Sequence, residues 1–473
     1  MKIEMPSIYP VTSHSGRIGK GSTFVAITGM QENGERYILE ALERGASTIV
    51  VQADSVVDET VLEKIKECKA TLSYVKNTRV ALSQLSAESL GNPAQKMKIV
   101  GVTGTKGKTS TCFMIYQLLM AAGKKVALLS TVEKRIGEAF VDLALTTPLP
   151  DHLHMFLKMC VDLEIEYVVM EASAQSLSLH RLDNVSFNAG AFTNFSLEHL
   201  EFYKNLEEYF QSKTLLINKI KDPACLFVNI DDEYGKQIAN KYPQLSTYSL
   251  LDETATISAK ARHKNNLLQL SVLCKGEHYE FSSHLMGEFN GYNMLAAISI
   301  VSALSIPLAA VATGLAALER IPGRMEKYQL ANGAVCFIDY AHNPSSFEAV
   351  LSTLRSHTKD LIVVFGAGGG RDKSKRPIMG SIVEKYADTA ILTSDNPRDE
   401  HPIAIIKDIK AGIVGDRLNM LEEINRTTAI EMACTMSKEG SVVAVLGKGR
   451  DEYQIVGSLT FPFKERSIIK PFL

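Results

Sequence analysis

The spacing of apolar and polar positions changes several times along this 473-residue chain. In the first 96 residues an apolar strand, TFVAI, leads to a glycine-containing turn, a helical pattern from Arg36 to Arg44 and a second strand, TIVV, at 48–51. The stretch AESLGNPAQKMK, centred on Gly91, Asn92 and Pro93, is rich in turn formers and marks a first boundary. From Met97 strands alternate with helices: KIVGVTG, a helix through Leu119, VALLST, EYVVMEAS, AGAFTN and CLFVN. That rhythm predicts a mainly parallel sheet with a ligand site at the carboxyl ends of its strands. Between Thr254 and Leu285 the period becomes two, with ATISAKA and LLQLSVL flanking HKNN, which predicts an antiparallel hairpin. Past an alanine-rich helix and the break at Ile321-Pro322-Gly323-Arg324 comes another α/β series: VCFIDYAHNP, LIVVFGAGGGRD, TAILTSDNPRDE and SVVAVLGKGRDEY. The expected architecture is α/β with three domains. These are a small N-terminal α/β domain over 1–96, a central mainly parallel domain with a hairpin over 97–322, and a C-terminal Rossmann-like domain over 323–473.

Charge and cysteine content narrow the function. Lys and Arg number 51 against 53 Asp and Glu, so no overall positive field exists to hold a nucleic acid or an anionic membrane, and any anion is held locally. The seven cysteines, at 68, 112, 160, 225, 274, 336 and 434, form no CxxC or Cys/His motif and read as reduced, mostly buried thiols. With no signal-like N-terminus and no apolar run long enough to span a bilayer, a cytoplasmic protein with no membrane span is expected. A monomer is expected as well.

The segment VGVTGTKGKTST, Val100 to Thr111, carries the clearest chemistry. It departs from GxxxxGK[ST] because Val102 stands where the first glycine belongs, with Gly101 one step early and Gly104 in the middle. The context is nevertheless that of a phosphate loop: a strand, a loop through Gly104, Thr105, Lys106 and Gly107, then Lys108, Thr109 and Ser110 opening a helix. Backbone N–H groups and the helix N-terminus supply partial positive charge, Lys108 supplies a full one, and Thr109 offers a hydroxyl to Mg²⁺. Glu171 ends the apolar strand YVVMEAS and offers that ion a carboxylate. NKIKD, Asn218 to Asp222, misses the guanine-reading NKxD spacing by one residue. His199, after a strand end, and Lys213, in a helical stretch, are ordinary residues when taken singly.

Together these elements resemble the Mur ligases, the ATP-dependent amide-forming enzymes of peptidoglycan synthesis. TGTKGKTST, MEASAQSLSLHR, TNFSLEHLEFY with the later SK, GEFNGYNMLAA, PGRME, DYAHNP, GGGRDKSKRP and DNPRDEHP occur in the family's order, covering about Ser15 to Tyr453. The likeness is greatest to members that add a diamino acid to UDP-N-acetylmuramoyl-L-alanyl-D-glutamate.

The resemblance implies a role for each matching position. The N-terminal domain would bind UDP, the central P-loop domain ATP, and the C-terminal domain the amino acid. Thr109 and Glu171 would hold one magnesium ion. A second ion would be held by His199 and by Lys213 carrying a carbamate, with Lys213 also facing the muramoyl-peptide. Asn290 and Asn293 match positions near adenine, Arg324 an arginine reaching the terminal phosphate, and Asp339 a ribose ligand with His342 close by. Ser15 and Gln31 match uridine contacts, and Thr146, Thr147, Ser173 and Arg181 match residues holding the muramoyl-peptide. Arg371, Asp395, Asn396, Pro397, Arg398, Gly447 and Asp451 fall where the family grips a diamino acid.

Bottom-up chemistry points the same way. A carboxylate becomes an acylating agent when it accepts the γ-phosphate, and the resulting acyl phosphate is open to an amine; Lys108, Arg324 and two magnesium ions would offset the repulsion between the two anions. In DNPR, Pro397 fixes the backbone and Arg398 offers a planar fork suited to a free carboxylate, which meso-diaminopimelate has at its far end and lysine lacks. The chain departs from the family's pattern in several places. It reads GKGRDEYQ, with Arg450 and Asp451 for the usual His-Glu; the acid is one methylene shorter, with Glu452 beside it. Gly16 replaces an arginine after Ser15, and Leu179 replaces a glutamine found in some members. The expected reaction joins meso-diaminopimelate to UDP-MurNAc-L-Ala-D-Glu at the expense of ATP. The rival readings are a lysine-adding enzyme, a murein-tripeptide-recycling ligase, a folylpolyglutamate synthase and a P-loop ATPase switch. A recycling enzyme would not need the uridine contacts, a folate enzyme would not need Arg398, and a switch would hydrolyse ATP without both substrates.

Overall fold

The computed structural model describes residues 2–29, 32–196, 202–264, 267–274 and 276–473. Contacts divide the chain into two compact units: Met1–Lys260 with Ser271–Glu280 and Tyr292–Leu315, and Ala261–Leu270 with Phe281–Gly291 and Ala316–Leu473.

In the first unit, the strand Lys98–Thr103 lies between Tyr167–Glu171 and Ala189–Phe192, parallel to both. Val126–Leu129 extends the sheet on one side, and Leu226–Asn229 and Ser246–Ser249 extend it on the other. These strands are apolar along almost their whole length because both faces are covered, as in sheets built from strand–helix–strand crossovers. The expected hairpin is realised as three successive strands, Ile257–Lys264, Leu267–Cys274 and Glu277–Ser283, the third being a short alternating segment that sequence reading did not separate.

The N-terminal segment forms its own four-stranded parallel sheet, in the order Val11–Thr12, Thr23–Val25, Thr48–Gln52 and Thr71–Val75. Phe24, Ile38, Leu42, Ile49 and Val51 make a small core on it. The helix expected over Arg36–Arg44 begins as a 3₁₀ turn, Gly34–Tyr37, capped by the Asn33 side chain, and becomes α-helical only at Ile38–Glu43.

In the second unit, the strand order is Glu326–Gln329, Val335–Asp339, Val442–Leu446, Leu361–Phe365, Thr389–Leu392, Asn419–Glu422, parallel except for the first pair. The last strand in the chain to join, Val442–Leu446, is inserted between the second and third. The loops after Asp339, Phe365, Leu392 and Leu446 therefore emerge side by side at the carboxyl edge, where open α/β sheets bind ligands. All seven cysteines are free, five of them buried. Among the described residues no helix is long and apolar enough to cross a membrane.

Candidate active site

The phosphate loop resolves the displaced glycine. Gly101 sits within the strand, where a Cβ would lie 2.7 Å from the Phe187 ring, so its role is packing. The loop itself turns on Gly104, φ 142°, and Gly107, φ 81°, which L side chains rarely adopt. A Cβ would meet Thr193 Oγ1 at 2.0 Å from Gly104, and Asn293 Oδ1 at 2.4 Å from Gly107. The neighbouring strand end, Thr193-Asn194, straps the loop. Thr105 N donates to Asn194 O at 2.9 Å, Lys106 N donates to Asn194 Oδ1 at 2.9 Å, and Thr193 Oγ1 donates to Lys106 O at 2.6 Å. Lys108 and Ser110 open the helix Lys108–Ala121, and Lys108 Nζ folds back onto the carbonyls of Gly104 and Thr105 at 2.8 and 2.7 Å.

Beside this cradle, Glu171 gathers hydroxyls. Thr109 Oγ1 donates to its Oε1 at 2.9 Å; Thr131 donates through its backbone N–H at 2.7 Å and its hydroxyl at 3.3 Å. Sequence reading missed Thr131; its only signal is its place as a polar residue just past the strand Val126–Leu129. A buried carboxylate with two hydroxyls is a hard-oxygen donor set of the kind that suits Mg²⁺, so the residues fit the ion. Lys213 is 2% exposed, and its Nζ donates to Gly104 O at 2.8 Å while lying 4.4 Å from the Tyr209 ring centre. Two ammonium groups, Lys108 and Lys213, thus converge on one carbonyl oxygen. His199 lies outside the described residues.

The same corner holds the positions matched to the muramoyl-peptide. Thr146 Oγ1 is 3.1 Å from Thr131 Oγ1, Thr147 Oγ1 donates to Glu171 O at 2.7 Å and lies 3.4 Å from Ser173 Oγ, and Arg181 Nη1 donates to Thr147 O at 2.9 Å. Burial, and secondarily the neighbouring charge of Arg79, holds the Arg181 guanidinium below its usual range, and its Nε is buried without a partner among the described residues. Two arginines drawn together favour an anionic ligand. Arg79, on the helix Thr78–Ser89, carries no motif that could have revealed it.

Ser15 opens the 3₁₀ turn Ser15–Arg17, capped by His14; Gln31 lies outside the described residues. The loop before Ser15 is pinned by Asp151, a fully buried carboxylate in the first turn of the helix Pro150–Asp162. It accepts from Thr12 Oγ1 at 2.7 Å and Ser13 N at 3.2 Å, while its other oxygen accepts from His152 N at 2.9 Å. Asp151→Asn keeps the shape but turns one acceptor oxygen into a donor. It is expected to raise KM for a nucleotide substrate about tenfold with kcat nearly unchanged, as steady-state kinetics would read.

His154, on the same helix, is fully buried with neither ring nitrogen partnered among the described residues. Burial pushes its pKa down to about 4, against a weak opposing pull from Asp151. The unfolded chain therefore binds the proton more readily. This group's stability is present above its ordinary pKa and is lost as pH falls toward 4. Urea unfolding should show His154→Phe losing about 2 kcal/mol less than the native chain between pH 7 and pH 5. Equal losses would place the acid sensitivity elsewhere.

In the second unit the strand-end loops are organised by backbone hydrogen bonds. Asp339 accepts from Met325 N and Ala341 N, each at 2.7 Å, leaving each oxygen a second lone pair. Burial, against the opposing charge of Arg324, raises its pKa. Arg324 stacks 4.4 Å from the Tyr340 ring centre, behind the left-handed Gly323. His342 Nδ1 lies 2.8 Å from Tyr340 O, a carbonyl that can only accept, so the proton sits on Nδ1. On the helix Glu288–Ala303, Asn290 Nδ2 donates to Met286 O at 2.7 Å.

The DNPR loop is strapped to the hairpin Tyr453–Val456/Leu459–Pro462. Arg398 N donates to Ile455 O at 3.2 Å, Gly457 N donates to Arg398 O at 2.8 Å, and Arg398 adopts φ 50°. Its Nη1 donates to Gly369 O at 2.7 Å, which aims the fork over the GGGRD loop; Arg371 is exposed on that loop. Gly447, φ 121°, has no room for a side chain because a Cβ would lie 2.7 Å from Asp395 Oδ2. Burial raises the Asp451 pKa, an effect only partly offset by Lys448. Glu452 is engaged elsewhere, with Lys464 at 2.7 Å and Arg466 at 3.0 Å.

A glycine-turned phosphate cradle at the carboxyl edge of a parallel sheet, with a carboxylate and hydroxyls beside it, defines a nucleotide-using P-loop enzyme. Residues 102–301 match the Mur ligase middle domain, and residues 323–449 match the Mur ligase, glutamate ligase domain. The UDP-N-acetylmuramoyl-L-alanyl-D-glutamate–2,6-diaminopimelate ligase of Aquifex aeolicus is 37% identical over 465 residues, covering 98% of this chain and 93% of that protein. The Clostridium perfringens protein of the same name is 38% identical over 466 residues, covering 97% and 93%. A solved structure of a ligase with that name superposes with a TM-score of 0.68 at 26% identity, covering 98% of this chain and 94% of that one. The fold is shared as well with the MurF ligase of Thermotoga maritima solved with ADP, at TM-score 0.65 and 19% identity over 93% of each chain. The chain belongs to the Mur ligase family and is an ATP-dependent ligase.

Proposed function

We propose that the protein joins meso-diaminopimelate to the side-chain carboxylate of the D-glutamate in UDP-MurNAc-L-Ala-D-Glu, forming an amide and consuming ATP in peptidoglycan precursor synthesis. The observation that carries this reading is the Glu171 corner. Glu171 joins the phosphate loop, through its carboxylate and Thr109, to the loop of Thr146 and Thr147, through its backbone carbonyl and Thr147, so the nucleotide tail and the acceptor acid would be gathered at the same strand tips. Gly104 to Ser110 would cradle the phosphates, with Lys108 on the terminal pair and Arg324 reaching the one that is transferred. Asn290, Asn293, Asp339 and His342 would hold adenosine. Ser15, Gln31, Thr146, Thr147, Ser173 and Arg181 would bind the nucleotide-sugar dipeptide, and Asp395, Asn396, Pro397, Arg398, Gly447, Asp451 and Arg371 the diamino acid. Thr109 and Glu171 would hold one magnesium ion, and His199 and carbamylated Lys213 a second. Bound there, the ions supply charge neutralisation where two anions meet.

The carboxylate oxygen attacks the γ-phosphorus, the bond to the β-phosphate oxygen breaks, and ADP departs. The amine of the diamino acid then attacks the acyl phosphate carbonyl, loses a proton and expels inorganic phosphate. The 35–38% identity to proteins named for this reaction, over at least 95% of the chain, supports the substrate assignment. We place the enzyme in the cytoplasm, where both nucleotides are available, acting as a monomer. Phosphate release should require the nucleotide-sugar dipeptide and ATP, and tripeptide should form only when the diamino acid is added. ATP hydrolysis independent of both would favour the switch reading instead.

A further inference from the structure

Lys448 stands between two glycines in a strand-end loop, yet its side chain is fully buried. Its ammonium lies 3.1 Å from Asp395 Oδ1 and donates to Asn396 Oδ1 at 2.8 Å and Tyr453 O at 2.9 Å. Arg426 and Glu465, both buried and paired at 2.6 Å, complete a cluster of two cations and two anions, in which Arg426 also donates to Leu446 O at 2.8 Å. Burial pulls Lys448 below its usual range. Asp395, which burial pushes up, is held below its own by Lys448 and Arg426.

The consequence falls on Asn396. Its Oδ1 receives two donors, Lys448 Nζ and Ile455 N at 2.9 Å, so that atom can only be the carbonyl oxygen; an NH₂ there would face two N–H groups. The outward half of the amide is therefore Nδ2, which has no protein partner among the described residues and sits on a half-buried residue beside the Arg398 fork. The side-chain groups that Asn396 and Arg398 present are N–H donors. Such donors satisfy a carboxylate, an acceptor at every lone pair, and are left unpaired by lysine, which has no carboxylate at its far end.

We propose that Lys448 is a specificity-determining positioning residue: by fixing the amide of Asn396 with its NH₂ outward, it makes the site read the distal carboxylate of the amino acid, which lysine lacks. This rests on the proposed function. The effect reaches the ligand through Asn396, and Lys448 itself touches no substrate.

The test compares kcat/KM for meso-diaminopimelate and for lysine in the full-length enzyme with ATP and the nucleotide-sugar dipeptide. In Lys448→Met the amide is free to turn, and the selectivity ratio should fall at least about tenfold, with diaminopimelate losing more than lysine. Lys448→Arg, which keeps a donor, should retain most of the ratio. Asn396→Asp tests the orientation with Lys448 kept in place. One oxygen stays on Lys448 and Ile455 while the outward donor becomes an acceptor, so the diaminopimelate kcat/KM should drop about a hundredfold and lysine much less. The proposal is overturned if Asn396→Asp leaves diaminopimelate use intact, or if Lys448→Met lowers both substrates equally. A native enzyme that takes lysine as readily as diaminopimelate defeats the substrate reading itself, and the role of Lys448 with it.

Discussion

Lys213→Ala should lower kcat by about a thousandfold or more while leaving the fold intact, with partial recovery when formate or acetate is supplied at high concentration. The side chain is buried over the Tyr209 ring and reaches Gly104 O, the carbonyl that Lys108 also reaches. As an ammonium it adds positive charge to a cradle that already has Lys108. As a carbamate, formed by attack of its neutral amine on CO₂ with loss of a proton, it becomes an anionic oxygen donor for a cation near the phosphates. Only the second form explains recovery by a small carboxylate, because acetate can replace an anionic oxygen but not an ammonium. Loss of activity without rescue, in a variant that unfolds like the native chain, would assign Lys213 a structural role at Gly104. Full activity would remove it from the chemistry.

Arg398→Ala should raise KM for meso-diaminopimelate about ten- to a hundredfold and leave KM for ATP within about twofold. The guanidinium is held by Gly369 O, while its backbone is fixed through Ile455 and Gly457, so the fork is positioned before any ligand arrives. A preorganised fork loses little entropy on binding, and its removal leaves the distal carboxylate of the ligand without its charged partner. Equal effects on the two KM values would mean that the loop had collapsed and that recognition is not specific to Arg398.

The parts of the site that are contiguous in sequence were legible in it. The phosphate loop showed itself through a strand, glycines and Lys108-Thr109 in order, and DNPR through a proline followed by a fork. The structure supplied what depends on neighbours from elsewhere in the chain. Thr131 reaches Glu171 because their strands are adjacent and parallel, and Asp151 matters through a loop some 140 positions earlier. Lys448 lies between two glycines, and sequence reading assigns it no role; only burial against Asp395 and Asn396 reveals its part. The third strand, Glu277–Ser283, was missed because its alternation is too short and polar to stand out beside the apolar LLQLSVL. The Arg36–Arg44 helix opens as a 3₁₀ turn capped by Asn33, a tightening frequent at helix N-termini that apolar spacing does not reveal.

The central claim is that an acid and a nucleotide tail are brought together at adjoining strand tips so that the acid becomes reactive toward an amine. Phosphate release, measured with ATP and UDP-MurNAc-L-Ala-D-Glu against meso-diaminopimelate, lysine and ornithine in parallel, tests it most directly. The account predicts rapid release and tripeptide formation with meso-diaminopimelate and little with the other two. Phosphate release at the same rate with no acceptor dipeptide, or equal turnover of all three amino acids, would contradict it.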